Sequence, residues 1–256
     1  MQTQHLLAHL NSHKMVSTLF FTATFLVLCT LSTATHPARL ILTLVNKCPF
    51  TVWPAINPDL GHAVLERGGF VLDTQTTLSF PAPTHHWSGQ IWARTGCTHR
   101  THANKIFTCA TGDCGGRLHC GRIGSSTPTT RAHLRLQGYN NLSSYGVSLA
   151  EGFNVPMTVT AHEADKGRCP VVGCSANLLQ TCPEKLQLRS PQGHGPVVAC
   201  KSGCEAFGRN HLACMSSKYS EFFRSACPAT FTYAHGQPSL MHDCSSPRML
   251  EITFCH

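Results

Sequence analysis

Cysteine is the residue type that most constrains what this chain can fold into. The 256 residues include 15 cysteines, which is far more than an ordinary cytosolic enzyme holds and points to an oxidising compartment. Charged side chains make up only 12% of the chain and hydrophobic ones 42%, which excludes a coiled coil and an extended disordered chain. We therefore expect a folded protein, long enough to bury a sizeable core and braced by disulfides.

The N-terminal segment has the pattern of an export signal. Lys14 precedes a short apolar run, Val16–Leu31, and small residues follow it up to Ala34. This order is typical of a secretory signal peptide, and the run is too short and too rich in threonine to favour a membrane span. We expect residues 1–34 to be removed and the product to be secreted to the extracellular space, the apoplast. Loss of Cys29 then leaves 14 of the 15 cysteines, an even number that disulfides can use completely.

Short apolar or alternating segments predict an antiparallel β-sandwich or barrel. The predicted strands are Leu40–Val45, Phe50–Trp53, Phe70–Leu72, Thr76–Phe80, Gln90–Ala93, Met157–Thr160 and Leu250–Phe254. A parallel α/β sheet is not expected, because no long amphipathic helices separate these strands. One short helix is predicted at Tyr219–Arg224. It lies in the second of two cysteine-rich segments, Cys97–Cys120 and Cys169–Cys227. These segments have little apolar surface to bury, so we expect disulfides to stabilise them.

Several segments, in the right order, resemble the thaumatin-like family, which includes the plant pathogenesis-related proteins of class five. They are Val45–Trp53, Ile91–Cys97, Phe107–Cys120, Glu151–Met157, Tyr219–Phe223, Ala226–Pro228 and Ile252–Cys255. Lys105 departs from the family, since a glycine usually opens the segment that ends at Cys120. The resemblance covers residues 40–255 and implies a mainly β thaumatin-like domain over 35–256. Its core would be an antiparallel β-sandwich, with a small disulfide-rich lobe at about 95–127 and a helical one at about 169–228.

The family's disulfide scheme, carried over position by position, implies seven bridges. The pairs are Cys48–Cys255, Cys97–Cys109, Cys114–Cys120, Cys169–Cys244, Cys174–Cys227, Cys182–Cys200 and Cys204–Cys214. The family usually has one more pair, and this chain lacks both partners where a short loop is missing between Cys214 and Met215. By spacing alone, Cys109, Cys114, His119 and Cys120 could bind zinc, but an even cysteine count in a secreted chain favours disulfides.

Many members of the family have an acidic cleft between the core and the helical lobe, and the resemblance implies that this chain has lost its charges. The family's arginine, glutamate and three aspartates fall on Gln90, His133, Ser143, Gly146 and one of Gly236 or Gln237. Glycoside hydrolysis needs two carboxyl groups, and these positions supply none. We therefore expect no catalytic residue there, with a weak endo-β-1,3-glucanase using the cleft as the alternative.

The charges near the expected cleft are mostly positive. Between residues 105 and 135 the only carboxylate is Asp113, whereas the arginines are Arg117, Arg122, Arg131 and Arg135. With His133 among them, the groove would accept anionic groups, and more readily below pH ~6.5 as histidines protonate. The alternative interpretation is that the arginines form an ordinary solvated face.

Several other polar and aromatic residues could have a functional role, but their surroundings in the sequence favour a structural one. His85, His86, His99 and His102 could bind a metal, but loop histidines in a chain with 17 of them are typical of solvent-exposed positions, so we expect neither a metal nor a cofactor. Arg94 is expected to be paired internally, Asp113 to bind backbone amides in a tight turn, and Trp53 and Trp92 to lie in the core. Asn141-Leu142-Ser143 is a sequon for N-glycosylation, and a glycan there would lie near the cleft.

These observations predict a secreted, monomeric plant defence protein that acts without catalysis. Its expected partners are cell-wall polysaccharide, such as glucan, or an anionic membrane surface of a fungal pathogen. Nucleic acid is not an expected partner despite a net charge of +8, because a secreted, disulfide-bonded chain rarely meets it. The alternatives are the weak glucanase and a binding module with a developmental or wall-structural role.

Overall fold

Two β-sheets share one apolar core in the computed structural model, which describes residues 39–100, 106–164, 169–190, 195–208, 210–235 and 239–256. The first sheet has the order β10-β9-β15-β1-β3. Its strands are β1 (Ile41–Asn46), β3 (Thr77–Pro81), β9 (Met157–His162), β10 (Val172–Cys174) and β15 (Met249–Phe254). The predicted signal peptide lies outside the described residues.

The second sheet has six strands in the order β13-β8-β7-β4-β2, with β14 also pairing with β8. Its strands are β2 (Trp53–Pro58), β4 (Trp87–Arg94), β7 (Arg131–Leu136), β8 (Leu142–Ser148), β13 (Thr230–Phe231) and β14 (His242–Ser245). Two small hairpins lie outside both sheets. They consist of β5 (Thr98–Arg100) with β6 (Ile106–Thr108), and β11 (Gln187–Arg189) with β12 (Val197–Cys200).

The first and last strands of the chain are neighbours in the middle of the first sheet. β1 pairs in parallel with β15, so that Leu42 lies beside Leu250 and Leu44 beside Ile252. These four side chains are fully buried in the core, as the apolar half of a strand facing a second sheet should be. The Cys48–Cys255 disulfide joins the chain just beyond the ends of both strands. The predicted mainly β, thaumatin-like sandwich is confirmed.

The structure corrects the predicted strand at Phe50–Trp53. Strand β2 begins only at Trp53 and contains Pro54 and Pro58, whereas Val52 forms a single bridge to Leu72. Proline is tolerated here because β2 is the edge strand of its sheet. On the open side of an edge strand no neighbouring strand needs the N–H group that proline lacks. The predicted strand Phe70–Leu72 is likewise reduced to isolated bridging. Trp53, at the start of the edge strand, is only partly buried, so its placement in the core was wrong.

Three other predictions about single residues and the helix are confirmed. Trp92 is fully buried and donates its indole N–H to the carbonyl of Gly112 at 2.9 Å. Asp113 accepts hydrogen bonds from the backbone amides of Cys109 (3.0 Å) and Gly116 (2.7 Å). The predicted helix is α2 (Lys218–Ala226), which follows the one-turn helix α1 (Gly203–Ala206) and begins with a capping box between Ser217 and Ser220.

Arg94 ties the first cysteine-rich segment to the second sheet. Its fully buried guanidinium donates to the carbonyl oxygens of Trp53, Pro54, Arg117 and Leu118 at 2.7–3.3 Å. Burial lowers the pKa of Arg94 to about 10, against the opposing effect of Asp113, so the group stays charged at physiological pH. The expectation that Arg94 is paired internally is confirmed, and its partners are backbone carbonyls.

The structure contains seven disulfides, and their pairs are the same as those that the family resemblance implies. A second apolar cluster forms around Cys174–Cys227 and Cys182–Cys200, where Phe153 packs with Leu178 and Phe223 of the second cysteine-rich segment, and all three are fully or almost fully buried. Because this cluster is small, its apolar contacts alone contribute little stability. The disulfides stabilise it further by lowering the conformational entropy of the unfolded chain.

Removal of the bridge between the terminal strands should cost more stability than removal of a short-range bridge. Replacing both Cys48 and Cys255 with alanine is expected to lower the free energy of unfolding by about 5 kcal/mol, because this bridge spans a sequence separation of 207. Replacing Cys204 and Cys214, which are 10 residues apart, should lower it by about 3 kcal/mol. Urea unfolding followed by tryptophan fluorescence measures both, and equal losses would contradict this ranking.

Candidate functional site

The outer face of the second sheet forms the floor of a cleft. Along β7 the residues Ala132, Leu134 and Leu136 are buried, so the alternate residues Arg131, His133 and Arg135 share the opposite face. A cleft of about 520 Å³ opens over this face. Its lining includes Asp59, Gly89, Arg131, His133, Arg135, Ser148, Glu151, Phe231, Tyr233 and Met241.

Strand register brings three of the substituted family positions into one row. His133 on β7 lies opposite Gln90 on β4 and opposite Gly146 on β8. Ser143 is fully buried instead, where its hydroxyl accepts the backbone N–H of Gln137 at 3.3 Å, and it does not line the cleft. Gly236 and Gln237 lie outside the described residues.

Gly146 leaves no space for a side chain. A Cβ atom added there would lie 2.9 Å from the carbonyl oxygen of Leu240 and 3.0 Å from the sulfur of Met241. Contacts that close do not occur in real structures, so the segment before β14 packs directly on the glycine backbone.

Arg131 is the centre of the polar network in the cleft. Its side chain is only 10% exposed and forms an ion pair with Glu151. It also donates to the side-chain oxygen of Gln90 at 3.0 Å and to the hydroxyls of Thr129 and Ser125, and it lies over the ring of Trp92. The expectation of a cationic groove is corrected at this point, because Glu151 balances the charge of Arg131.

His133 stays neutral through the mildly acidic range. Burial and, to a smaller extent, the nearby charge of Arg131 together lower its pKa from 6.5 to about 4, against an opposing effect of Asp59. The expectation that histidine protonation below pH ~6.5 would make the cleft more cationic is therefore wrong for this residue. Its environment, rather than its residue type, sets its charge.

Sequence reasoning missed the three carboxylates around the cleft. Glu151 pairs with Arg131, Asp59 accepts the hydroxyl of Ser88 at 2.5 Å, and Glu205 accepts the hydroxyl of Thr127 at 2.5 Å. Glu151 and Glu205 both line a hollow of about 330 Å³ that shares Arg131 with the cleft. In the sequence, Glu151 precedes Gly152-Phe153, and nothing there indicates its partner. In the structure the chain turns at Gly152 (φ 94°), and Glu151 forms an ion pair with Arg131 on β7.

The other candidate residues lie apart from the cleft. Asn141 of the sequon is exposed in the turn before β8 and does not line the cleft. His86 packs edge-on against His62 at 5.1 Å between ring centroids, and His85 is exposed. The His99 side chain and His102 are not described. Among the described residues no group of three or more histidine, cysteine or acidic side chains is placed to hold a metal ion. None of the described helices has the length and apolar character needed to cross a bilayer.

Comparison with known proteins identifies the family. The family model described as "Thaumatin family" matches residues 46–256. The chain belongs to the thaumatin family. An "Osmotin-like protein" of Solanum lycopersicum is 60% identical to it over 240 residues, which cover 90% of this chain and 93% of the relative. The resemblance to class-five pathogenesis-related proteins is confirmed.

Two further similarities mark the range of the family. A protein of Prunus avium called "Glucan endo-1,3-beta-glucosidase" is 35% identical over 225 residues, covering 84% of this chain and 89% of the relative. The solved structure of a thaumatin-like xylanase inhibitor is 27% identical and covers 84% of this chain and 99% of its own, with a TM-score of 0.48. The extensive disulfides of this thaumatin-like chain fit an extracellular protein.

The neutral state of His133 predicts how stability depends on pH. Below pH 6.5 the unfolded chain takes up a proton at this histidine and the folded chain does not, so stability is lost as the pH falls from 6.5 to 4. The loss attributable to His133 should be roughly 3 kcal/mol. His133→Gln should remove that part of the slope in urea unfolding at pH 7, 5.5 and 4. His85→Gln, at an exposed site, is the control, and an unchanged slope in His133→Gln would contradict the assignment.

Restoring the family's carboxylates should succeed at one position and fail at another. Gly146→Asp is expected to lower the free energy of unfolding by more than about 2 kcal/mol, because its side chain meets the Leu240 carbonyl and Met241. His133→Glu faces the cleft beside Arg131 and Arg135, whose charges offset part of the cost of burying a carboxylate, so it should cost less stability than Gly146→Asp. Thermal unfolding compares the two, and a tolerated Gly146→Asp would show that the segment at Leu240 moves away easily.

Proposed function

We propose that this thaumatin-like protein is a secreted antifungal defence protein that binds cell-wall β-1,3-glucan in the cleft without cleaving it. The observation that carries the proposal is the ion pair between Arg131 and Glu151, which engages one of the two carboxylates that line the described part of the cleft. The cleft's volume of about 520 Å³ lies in the range of sites that enclose small ligands.

The lining of the cleft suits a neutral saccharide. The uncharged imidazole of His133 offers a hydrogen-bonding group on the floor of the cleft. Phe231 and Tyr233 line the cleft, where aromatic rings supply apolar surface for the carbon face of a sugar. The charge of Arg131 on the cleft floor is balanced by the carboxylate of Glu151. An uncharged polymer therefore loses little binding free energy by entering the cleft.

The same geometry argues against hydrolysis. A glycosidase needs one carboxyl group that carries a proton to the leaving oxygen and a second that attacks or activates water. Glu151 is engaged in an ion pair with the guanidinium of Arg131. Asp59 and Glu205 each accept a hydroxyl hydrogen bond within the protein. Around the described part of the cleft, each of these three carboxylates is therefore already engaged.

Secretion and the monomeric state are part of the proposal. Seven disulfides require an oxidising compartment to form and persist, and the first 34 residues have the pattern of an export signal. The sequon at Asn141 is exposed, so a glycan there would be sterically compatible with the fold. We retain residues 35–256 as the thaumatin-like domain, with the lobes at about 95–127 and 169–228.

A weak endo-β-1,3-glucanase is the second candidate. The relative from Prunus avium carries the name of such an enzyme, and Glu151 and Glu205 of this chain line the same hollow beside the cleft. For catalysis, a ligand would have to displace Arg131 from Glu151 and free that carboxylate.

Binding and turnover can be measured separately. The purified protein should sediment with insoluble β-1,3-glucan and release no reducing ends from laminarin, in contrast to a β-1,3-glucanase used as positive control. Tyr233→Ala should weaken glucan binding at least fivefold, since it removes the aromatic ring from the cleft. Tyr139→Ala is the matched control, because Tyr139 is 89% exposed and does not line the cleft.

The possible results distinguish the two candidates. Release of reducing ends that disappears in Glu151→Gln would establish the glucanase and overturn binding without cleavage. Unchanged glucan binding in Tyr233→Ala would remove the cleft as the site. Binding to anionic vesicles in place of glucan would transfer the proposed target from the wall to the membrane.

A further inference from the structure

A second cavity lies away from the cleft and shares no described lining residue with it. This apolar pocket has a volume of about 440 Å³, and its walls include Phe50, Trp53, Ala110, Val155, Leu179 and Val198. The residues come from the start of β2, the foot of the β5–β6 hairpin and the β11–β12 hairpin. None of the described lining residues carries an ionisable side chain, although the chain as a whole has a net charge of +8.

Three of the four polar side chains in the described pocket wall, all except Ser190, are hydrogen-bonded within the protein. The hydroxyl of Thr51 donates to Asp73 at 3.1 Å, and that of Thr95 is hydrogen-bonded to Thr111 at 2.7 Å. The Asn154 amide donates to the Ala93 carbonyl at 2.9 Å and accepts the Thr130 N–H at 3.1 Å. These groups therefore offer little to a charged or strongly polar ligand, and the pocket presents mainly carbon.

Disulfides fix the walls of the pocket. Cys48–Cys255 lies two residues before Phe50, and Cys97–Cys109 joins the two strands of the hairpin next to Ala110. Cys182–Cys200 anchors the end of the strand that carries Val198. A pocket held open in this way is organised before a ligand arrives, so binding costs little conformational entropy.

We propose that the apolar pocket is a second binding site, which takes a small uncharged molecule with an aromatic body. The volume of the pocket falls in the range of sites for small ligands. A stable interface with another protein would instead bury a surface area of about 800 Å² on each partner. Phe50 is 45% exposed and Trp53 is partly buried, so two aromatic rings are available to pack against a planar ligand. The uncharged lining selects against ions of either sign.

Trp53 provides a built-in reporter for this site. The other two tryptophans, Trp87 and Trp92, are 0% and 1% exposed in the core, and Trp53 alone of the three lines the pocket. N-phenyl-1-naphthylamine, a neutral fluorophore, should bind the full-length purified protein saturably at one site and quench Trp53 by energy transfer. In Trp53→Phe the probe should still bind, with a smaller quenching of the tryptophan emission, because the one tryptophan in the pocket wall is gone.

Charged substitutions test the location. Ala110→Glu, at an exposed rim position, and Val198→Asp should each weaken probe binding at least tenfold, because each places a carboxylate in the apolar wall. Val171→Asp is the matched control, since Val171 is 60% exposed and lies outside the pocket, and it should bind normally. Circular dichroism confirms that each variant is folded.

Three results would overturn the proposal. They are the absence of saturable binding, binding that Ala110→Glu and Val198→Asp leave unchanged, and an equal loss in Val171→Asp. Dimerisation that Ala110→Glu abolishes, seen by sedimentation velocity, would assign the surface to a second copy of the chain instead. Laminarin should not compete with the probe, and competition would place the probe in the cleft.

Discussion

The parallel pairing of β1 with β15 is the constraint on which the rest of the structure depends. The two strands lie side by side in the middle of the first sheet and bury leucine and isoleucine against the second sheet. Parallel neighbours from opposite ends of a chain can form only when everything between them has folded to the correct dimensions. In the unfolded chain, loop entropy favours conformations in which the two ends lie far apart. The Cys48–Cys255 bridge removes those conformations.

That frame lets one face of the second sheet remain polar. Along β7, alanine and leucine fill the core while Arg131, His133 and Arg135 face the cleft, so a single strand serves both packing and the site. The charges on this face balance locally, through the ion pair of Arg131 with Glu151 and through a buried, neutral imidazole. Met241, which lines the cleft, packs on the backbone of Gly146, so that position has no room for a side chain.

The parts of the fold that could be predicted are those in which local pattern and packing agree. β1, β15 and α2 were predictable because their apolar residues recur with the period of the element and because their ends are marked by cysteine or serine. β7 and β8 were not predicted: β7 has arginine and histidine at its polar positions, and serine and glycine make up more than half of β8. Glu151 was missed as the partner of Arg131 because their contact depends on a turn, and the pKa of His133 was missed because burial sets it.

The long-range bridge also has a consequence for biosynthesis. Cys114 and Cys120 are six residues apart and can join soon after they emerge, whereas Cys48 has to wait for a partner 207 residues further along. At ordinary elongation rates that interval lasts roughly 10–40 s. Throughout it, Cys48 is a reactive thiol in the presence of newly translated cysteines that are not its partner. Correct pairing therefore depends on thiol–disulfide exchange that can replace early, wrong partners of Cys48 once Cys255 has been made.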